Sequence, residues 1–170
     1  MLKRTHTCGD LTLDHVGRTV ILNGWVDGWR DFGGLVFIDV RDRYGLTQCV
    51  FEPEVGAELQ AAARDLRNEY VVAIKGVVAP RLPGKENPKL KTGAIEVRAD
   101  ALEVLNATPT PPFDIQSGEA NEELRLTYRY LDLRRPAMQE IFIVRHRLAQ
   151  LMRRVMTDLG FLEIETPILG

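Results

Sequence analysis

The chain has 170 residues, 45% of them apolar, enough to bury a core for one domain or one and a half. The 22 basic residues stand against 24 acidic ones, a net charge of -2, so any affinity for nucleic acid has to come from a local patch and not from a bulk field. Cys8 and Cys49 lack CxxC spacing and have no His nearby in a metal-ligand pattern. No apolar run of about 18 residues occurs, and Met1-Leu2-Lys3-Arg4 lacks the character of a signal peptide. These features predict a cytoplasmic protein that holds no metal and does not enter a membrane.

Five strand-like segments precede residue 105. Thr19 to Asp27 places Val20, Leu22 and Val26 on one face. Leu35 to Arg41, entered through Gly33-Gly34, alternates so that Val36, Ile38 and Val40 form an apolar face and Phe37, Asp39 and Arg41 a wet one. Leu46 to Phe51 follows the turn Asp42-Arg43-Tyr44-Gly45, where Gly45 is expected to supply a positive φ. Val55 to Leu66 carries Leu59, Ala62, Ala63 and Leu66 at helical spacing, and Tyr70 to Val78 and Ala94 to Val104 complete the set. Three strands, a helix and two strands predict a mainly β domain, a five-stranded OB-fold barrel with one inserted helix. An open antiparallel sheet packed on one helix is the alternative.

Past residue 105 the composition changes. The proline-rich stretch 106–121, with Pro111-Pro112, predicts a linker between a domain at 1–105 and a second one beginning at 122. Ala137 to Leu159 places Ile141, Val144, Leu148, Leu151, Met152, Val155 and Leu159 on one stripe and stops at Gly160, the pattern of a long amphipathic helix. Phe161 to Ile164 then resembles the start of a strand. A sheet opened there and left unfinished predicts that the chain is part of a longer protein.

Phe37 is the most informative residue in the first domain. A ring on a wet strand face, flanked by charges, is a candidate platform for base stacking, worth about 1 to 3 kcal/mol per base. Between Lys75 and Arg98, six basic residues face Glu86 and Glu96, a local net charge of +4. In an OB fold the loop between strands 4 and 5 grips oligonucleotides over a floor made by strands 2 and 3, so Arg81 to Lys91 and Phe37 fall on one side, with Arg30 expected at the tip between strands 1 and 2.

Gly24-Trp25-Val26, Arg30-Asp31, the run from Gly34 to Asp42, and Gln48 together resemble the anticodon-binding domain of bacterial-type aspartyl-tRNA synthetases. Arg125 to Arg135 resembles the sequence preceding the catalytic domain of the Asp, Asn and Lys class II enzymes, and Gly160 to Pro167 is similar to their motif 1. The resemblance implies that Phe37 stacks on the central anticodon base, a uridine, that Gln48 hydrogen-bonds its edge, and that Glu96 accepts from the first base, a guanine. Arg30, Arg81 and Asn87 match positions that contact the anticodon loop, and Pro167 matches the dimer interface. Further implications are tRNA(Asp) as partner with tRNA(Asn) as a second candidate, a homodimeric parent enzyme, and aspartate–tRNA ligase activity dependent on ATP and Mg2+. Motifs 2 and 3 are not among these residues, so the resemblance implies no catalytic residue and no bound cofactor here, and tRNA binding without aminoacylation.

The chain departs from the family in carrying Gly28-Trp29-Arg30 where a run of three arginines is frequent, and Phe32 where leucine is common. Trp29 is expected to offset the lost charge by stacking. The rival readings are a general single-stranded nucleic-acid-binding OB module, an asparaginyl or lysyl synthetase of the same subclass, and a protein-interaction module using the helix Ala137 to Leu159.

Overall fold

The computed structural model describes residues 2–117 and 119–167; residues 168–170, the end of the expected catalytic-domain segment, lie outside the described residues. The chain forms two compact units, Met1–Pro111 and Pro112–Gly170.

In the first unit the strands are β1 (Thr19–Phe32), β2 (Leu35–Arg41), β3 (Leu46–Phe51), β4 (Val71–Pro80) and β5 (Ile95–Asn106), with helix α1 (Ala57–Arg64) between β3 and β4. The sheet closes on itself in the order β1-β2-β3-β5-β4. All neighbours are antiparallel except β3 and β5, whose parallel pairs Cys49↔Val97 and Val50↔Arg98 complete the ring. Closure gives every strand an inner face, and the apolar alternation of the sequence fills it. Val20, Leu22, Val26, Val36, Ile38 and Val40 are fully buried. Helix α1 covers one end, inserting Ala63 and following it with Leu66, while Gln60 Nε2 donates to the Phe51 carbonyl at 2.7 Å.

Three local expectations change. β1 runs five residues past Asp27 because its second half pairs with β2 from Gly28↔Asp39 to Phe32↔Leu35, so Arg30 lies within a strand and Gly33-Gly34, with φ of 61° and 100°, make the hairpin tip. Gly45 is not among the positive-φ residues. Its missing side chain serves close approach, since a Cβ there would sit 2.8 Å from Gly9 Cα. Arg41 is not on a wet face: it is 8% exposed, its Nε donates to Asp27 Oδ1 at 2.7 Å, and it is paired with Glu69 as well. A cation that far from water persists only with such partners.

In the second unit, two short helices not anticipated from sequence, α2 (Glu122–Thr127) and α3 (Arg129–Asp132), precede the long α4 (Pro136–Asp158). Asn121 Oδ1 caps α2 by accepting from Leu124 N at 2.8 Å. Asp132 is buried, and its carboxylate accepts from Arg125 (2.9 Å), Arg135 (3.0 Å) and Arg129. Those three guanidiniums, Arg125 first, hold its carboxyl below the usual range. α4 ends as its sequence predicts: Gly160 adopts φ 85°, and Phe161 N and Gly160 N donate to Met156 O and Thr157 O at 3.0 and 2.9 Å. Residues 161–167 are exposed and form no strand. A strand exists only by hydrogen bonding to a neighbouring strand, and none among the described residues pairs with this segment.

Candidate nucleic-acid interface

The outer face of β1, β2, β3 and β5 is where strand register brings polar and aromatic side chains together. Opposed residues in an antiparallel pair point to the same side of the sheet. The pairs Arg30↔Phe37 and Phe37↔Val50 therefore form one row, and Gly28↔Asp39 and Asp39↔Gln48 the next. One step back along the parallel pair Cys49↔Val97 sets Gln48 beside Glu96, and Glu96 pairs with Ala79 at the end of β4. Two residues later Arg81 leaves that strand.

Phe37 is half-buried, less exposed than strict alternation implies, because Phe32 packs its ring edge-on at a centroid distance of 6.0 Å. Phe32 itself is 65% exposed, so the site offers two rings in T-shaped contact. Gln48 is 8% exposed, diagonal to Phe37. Arg30 donates to Asp39 Oδ2 at 2.7 Å and remains nearly half exposed. Gly28 leaves space above that carboxylate, for a Cβ there would stand 3.2 Å from Asp39 Oδ2.

Burial pushes the Asp39 carboxyl above its ordinary range, against the pull of Arg30 and Arg81 and hydrogen bonding from Gln48. Burial pushes Glu96 up as well, opposed by Arg98 and Arg81. Two carboxylates are thus held half out of water, with arginines between and beside them. Such groups gain from a ligand that donates hydrogen bonds to them.

The structure brings Arg30, Phe37, Gln48, Arg81 and Glu96 to one face. Arg81 is fixed at the base of the β4–β5 loop, its Nε donating to the Ile95 carbonyl at 3.1 Å and its backbone N to Ala94 O at 3.0 Å. Asn87 lies within that loop and organises it: its backbone N donates to Gly93 O at 2.9 Å and its Oδ1 accepts from Lys89 N at 3.1 Å. Its amide NH2 then remains for a ligand. Gly93 must be glycine, since a Cβ would fall 1.8 Å from Asn87 O. Pro167 belongs to the other unit and is exposed.

Trp29 does not join the platform. It pairs with Ile38, on the opposite side from Arg30, and its Nε1 donates to the Ala63 carbonyl of α1 at 3.0 Å. Its ring borders a groove of about 710 Å³ with Arg64, Arg67 and Tyr70, away from Phe37. Asp39, not among the residues singled out from sequence, joins this face; its parity with Phe37 signals that, and the β2–β3 register sets it opposite Gln48.

Residues 20–105 match the family model of the OB-fold nucleic acid binding domain, and residues 121–170 that of the class II tRNA synthetases for D, K and N. The chain belongs to the OB-fold nucleic-acid-binding family. Its OB domain is followed by the start of a class II synthetase domain. Over 99% of its length it is 56% identical to an aspartate–tRNA(Asp/Asn) ligase of Heliobacterium modesticaldum and 53% identical to that of Bacillus subtilis. It spans 28% and 29% of those curated relatives, just over a quarter of their length. Among solved structures, asparaginyl-tRNA synthetase from Pyrococcus horikoshii matches with a TM-score of 0.85 at 30% identity, over 99% of this chain and 37% of that one.

Class II tRNA synthetases use ATP and Mg2+. No group of three His, Cys, Asp or Glu side chains among the described residues converges on a metal position, and Arg125, Arg129 and Arg135 are already paired with Asp132. No helix among the described residues is long and apolar enough to cross a membrane.

Proposed function

We propose that this chain is the anticodon-recognising portion of a cytoplasmic aspartate–tRNA ligase, with residues 1–105 as the binding domain, 106–121 as linker and 122–170 as the start of the catalytic domain. The observation that carries the proposal is the shared outer face of β2, β3 and β5. A ring, a carboxamide and a half-buried carboxylate sit there in adjacent register positions.

Single-stranded bases unstack from their loop and restack on protein rings, and their exposed edges are then available to side chains. Phe37 takes the central uridine, with Phe32 bracing it. Gln48 hydrogen-bonds the uridine edge, since an amide donates and accepts at once. Glu96 accepts from N1–H and N2–H of the first base, guanine, which offsets the cost of its burial. Arg30, Arg81 and the basic β4–β5 loop, with the Asn87 amide, hold the sugar-phosphate backbone.

The relatives' names pair tRNA(Asp) with tRNA(Asn), which supports both as partners. Activation of aspartate with ATP and Mg2+ is assigned to residues other than these 170, and dimerisation of the whole enzyme to the segment ending in Pro167 with α4. The test is titration of this chain with anticodon stem-loops carrying GUC or GUU and with an unrelated single strand of equal length, at fixed salt. Tight binding of the stem-loops over the unrelated strand is expected, and the GUC to GUU ratio reports tRNA discrimination. Equal binding of all three would make the domain a general single-strand binder.

A further inference from the structure

We infer that Asp39 is a specificity-determining residue of this face: it orients the Gln48 carboxamide so that its oxygen points to the ligand, which selects uridine over cytidine at the central position. The inference rests on the anticodon reading above and adds the device that gives Gln48 its direction.

An amide side chain by itself does not choose between these bases. Uridine presents a donor at N3 and an acceptor at O4, while cytidine presents an acceptor at N3 and a donor at N4. Turning the amide over by half a rotation about its last bond exchanges oxygen for nitrogen and so exchanges the preferred base. A free glutamine could adopt either orientation.

Gln48 is not free. Asp39 is its cross-strand partner on the same outer face, and Gln48 is only 8% exposed, so that carboxylate is within reach of its amide. An ionised carboxylate only accepts hydrogen bonds, so it takes one N–H of the amide and leaves Oε1 with the second N–H facing outward. Donation from Gln48 is the least of the influences that pull the Asp39 carboxyl down against its burial, and the register is what sets the two side chains together. Asp39 is in turn fixed by Arg30, which donates to Oδ2 at 2.7 Å, and Gly28 opposite it presents no side chain to displace it. Oε1 then meets N3–H of uridine, and would meet the N3 lone pair of cytidine.

The decisive substitution is Asp39→Asn. Arg30 carries only donors, so it claims the Asn oxygen, and the Asn NH2 is left facing Gln48. The Gln48 amide then turns over and presents NH2 outward. The experiment measures affinities of this chain and its variants for stem-loops carrying GUC and GCC, at fixed salt and at neutral pH. Discrimination between base edges is worth about 10- to 100-fold for a well-placed pair of hydrogen bonds. The native chain should favour GUC by at least about tenfold, and Asp39→Asn should bring the ratio to near one or below it, partly through a gain in GCC affinity. Gln48→Ala should lower the ratio, and adding Asp39→Asn to it should change nothing further.

Asp39→Ser, which removes the carboxylate without offering an NH2, serves if Asp39→Asn fails to fold and should also lower the ratio. A purely structural role for Asp39 would weaken both stem-loops by the same factor. A ratio unchanged by Asp39→Asn or Asp39→Ser overturns the inference and leaves the anticodon reading intact. A native chain that binds GUC and GCC equally overturns the anticodon reading and this inference with it.

Discussion

Replacing Phe37 by alanine separates its role in binding from its role in the fold. The inner face of β2 is filled by Val36, Ile38 and Val40, all fully buried, so the core survives the change. The ring is half-buried and touches Phe32 edge-on. Its loss costs about 1 kcal/mol of burial, with a further ~0.5 to 1 for the ring pair. A cooperative melt within several degrees of the native one is therefore expected. Stacking on the base is worth about 1 to 3 kcal/mol, and each ~1.4 kcal/mol is tenfold, so stem-loop affinity should fall by about 5- to 150-fold. Phe37→Tyr and Phe37→Trp keep a π face and should retain most of it. Fluorescence anisotropy with a labelled GUC stem-loop, alongside a thermal melt, gives both numbers. A Phe37→Ala variant that folds and binds within twofold of native would refute the stacking argument.

Other expectations concern the neighbouring groups. Trp29→Phe deletes the N–H donated to the Ala63 carbonyl and should destabilise the first unit by about 1 kcal/mol while leaving stem-loop affinity within twofold, because that ring faces α1. For Glu96, whose pKa is raised above 4.5 by burial, the carboxylate form is the one that accepts from guanine. Affinity should therefore fall as pH drops through that raised value, and Glu96→Gln should flatten this part of the profile. Glu96 contributes to stability with the opposite sign: a carboxyl with a raised folded pKa binds its proton more tightly when folded, so its contribution improves as pH falls. In the second unit, Asp132→Asn removes the negative charge shared by three arginines and one of its two acceptor oxygens, and should cost about 2 kcal/mol, less than a fully buried pair because the arginines are partly exposed. Hydrogen exchange at the Leu131 amide would report it. With the folded pKa of Asp132 lowered, that stabilisation is complete above the ordinary carboxylate range and is lost as pH falls through the lowered value.

Much of the fold was legible because a closed sheet imposes a strict rule on its sequence. Every strand needs an apolar inner face, and alternation shows it at Val36, Ile38 and Val40. The same rule exposed Phe37. What alternation does not show is what covers the other face or what comes near from elsewhere in the chain, and the corrections come from there. Arg41 shares parity with Phe37 yet is buried, because Glu69, 28 residues later, returns to meet it. Trp29 looked like a stacking ring until the hairpin register turned it toward α1. Asp39 looked like an ordinary surface charge, since its partners come from β1 and β3 and are adjacent only after pairing. Gly45 carried a correct turn signal with the wrong cause, as its neighbour Gly9 is 36 residues away. The segment 161–167 has strand-like composition but no strand to pair with among the described residues.

The most direct test of the central claim is photocrosslinking with 4-thiouridine at the central anticodon position of a GUC stem-loop, followed by mass spectrometry of the crosslinked peptides. The account predicts that the crosslink falls within Leu35–Phe51, on the peptide bearing Phe37 and Gln48. Crosslinks concentrated on the Trp29, Arg64 and Arg67 side, or spread evenly over the basic loop, would contradict it.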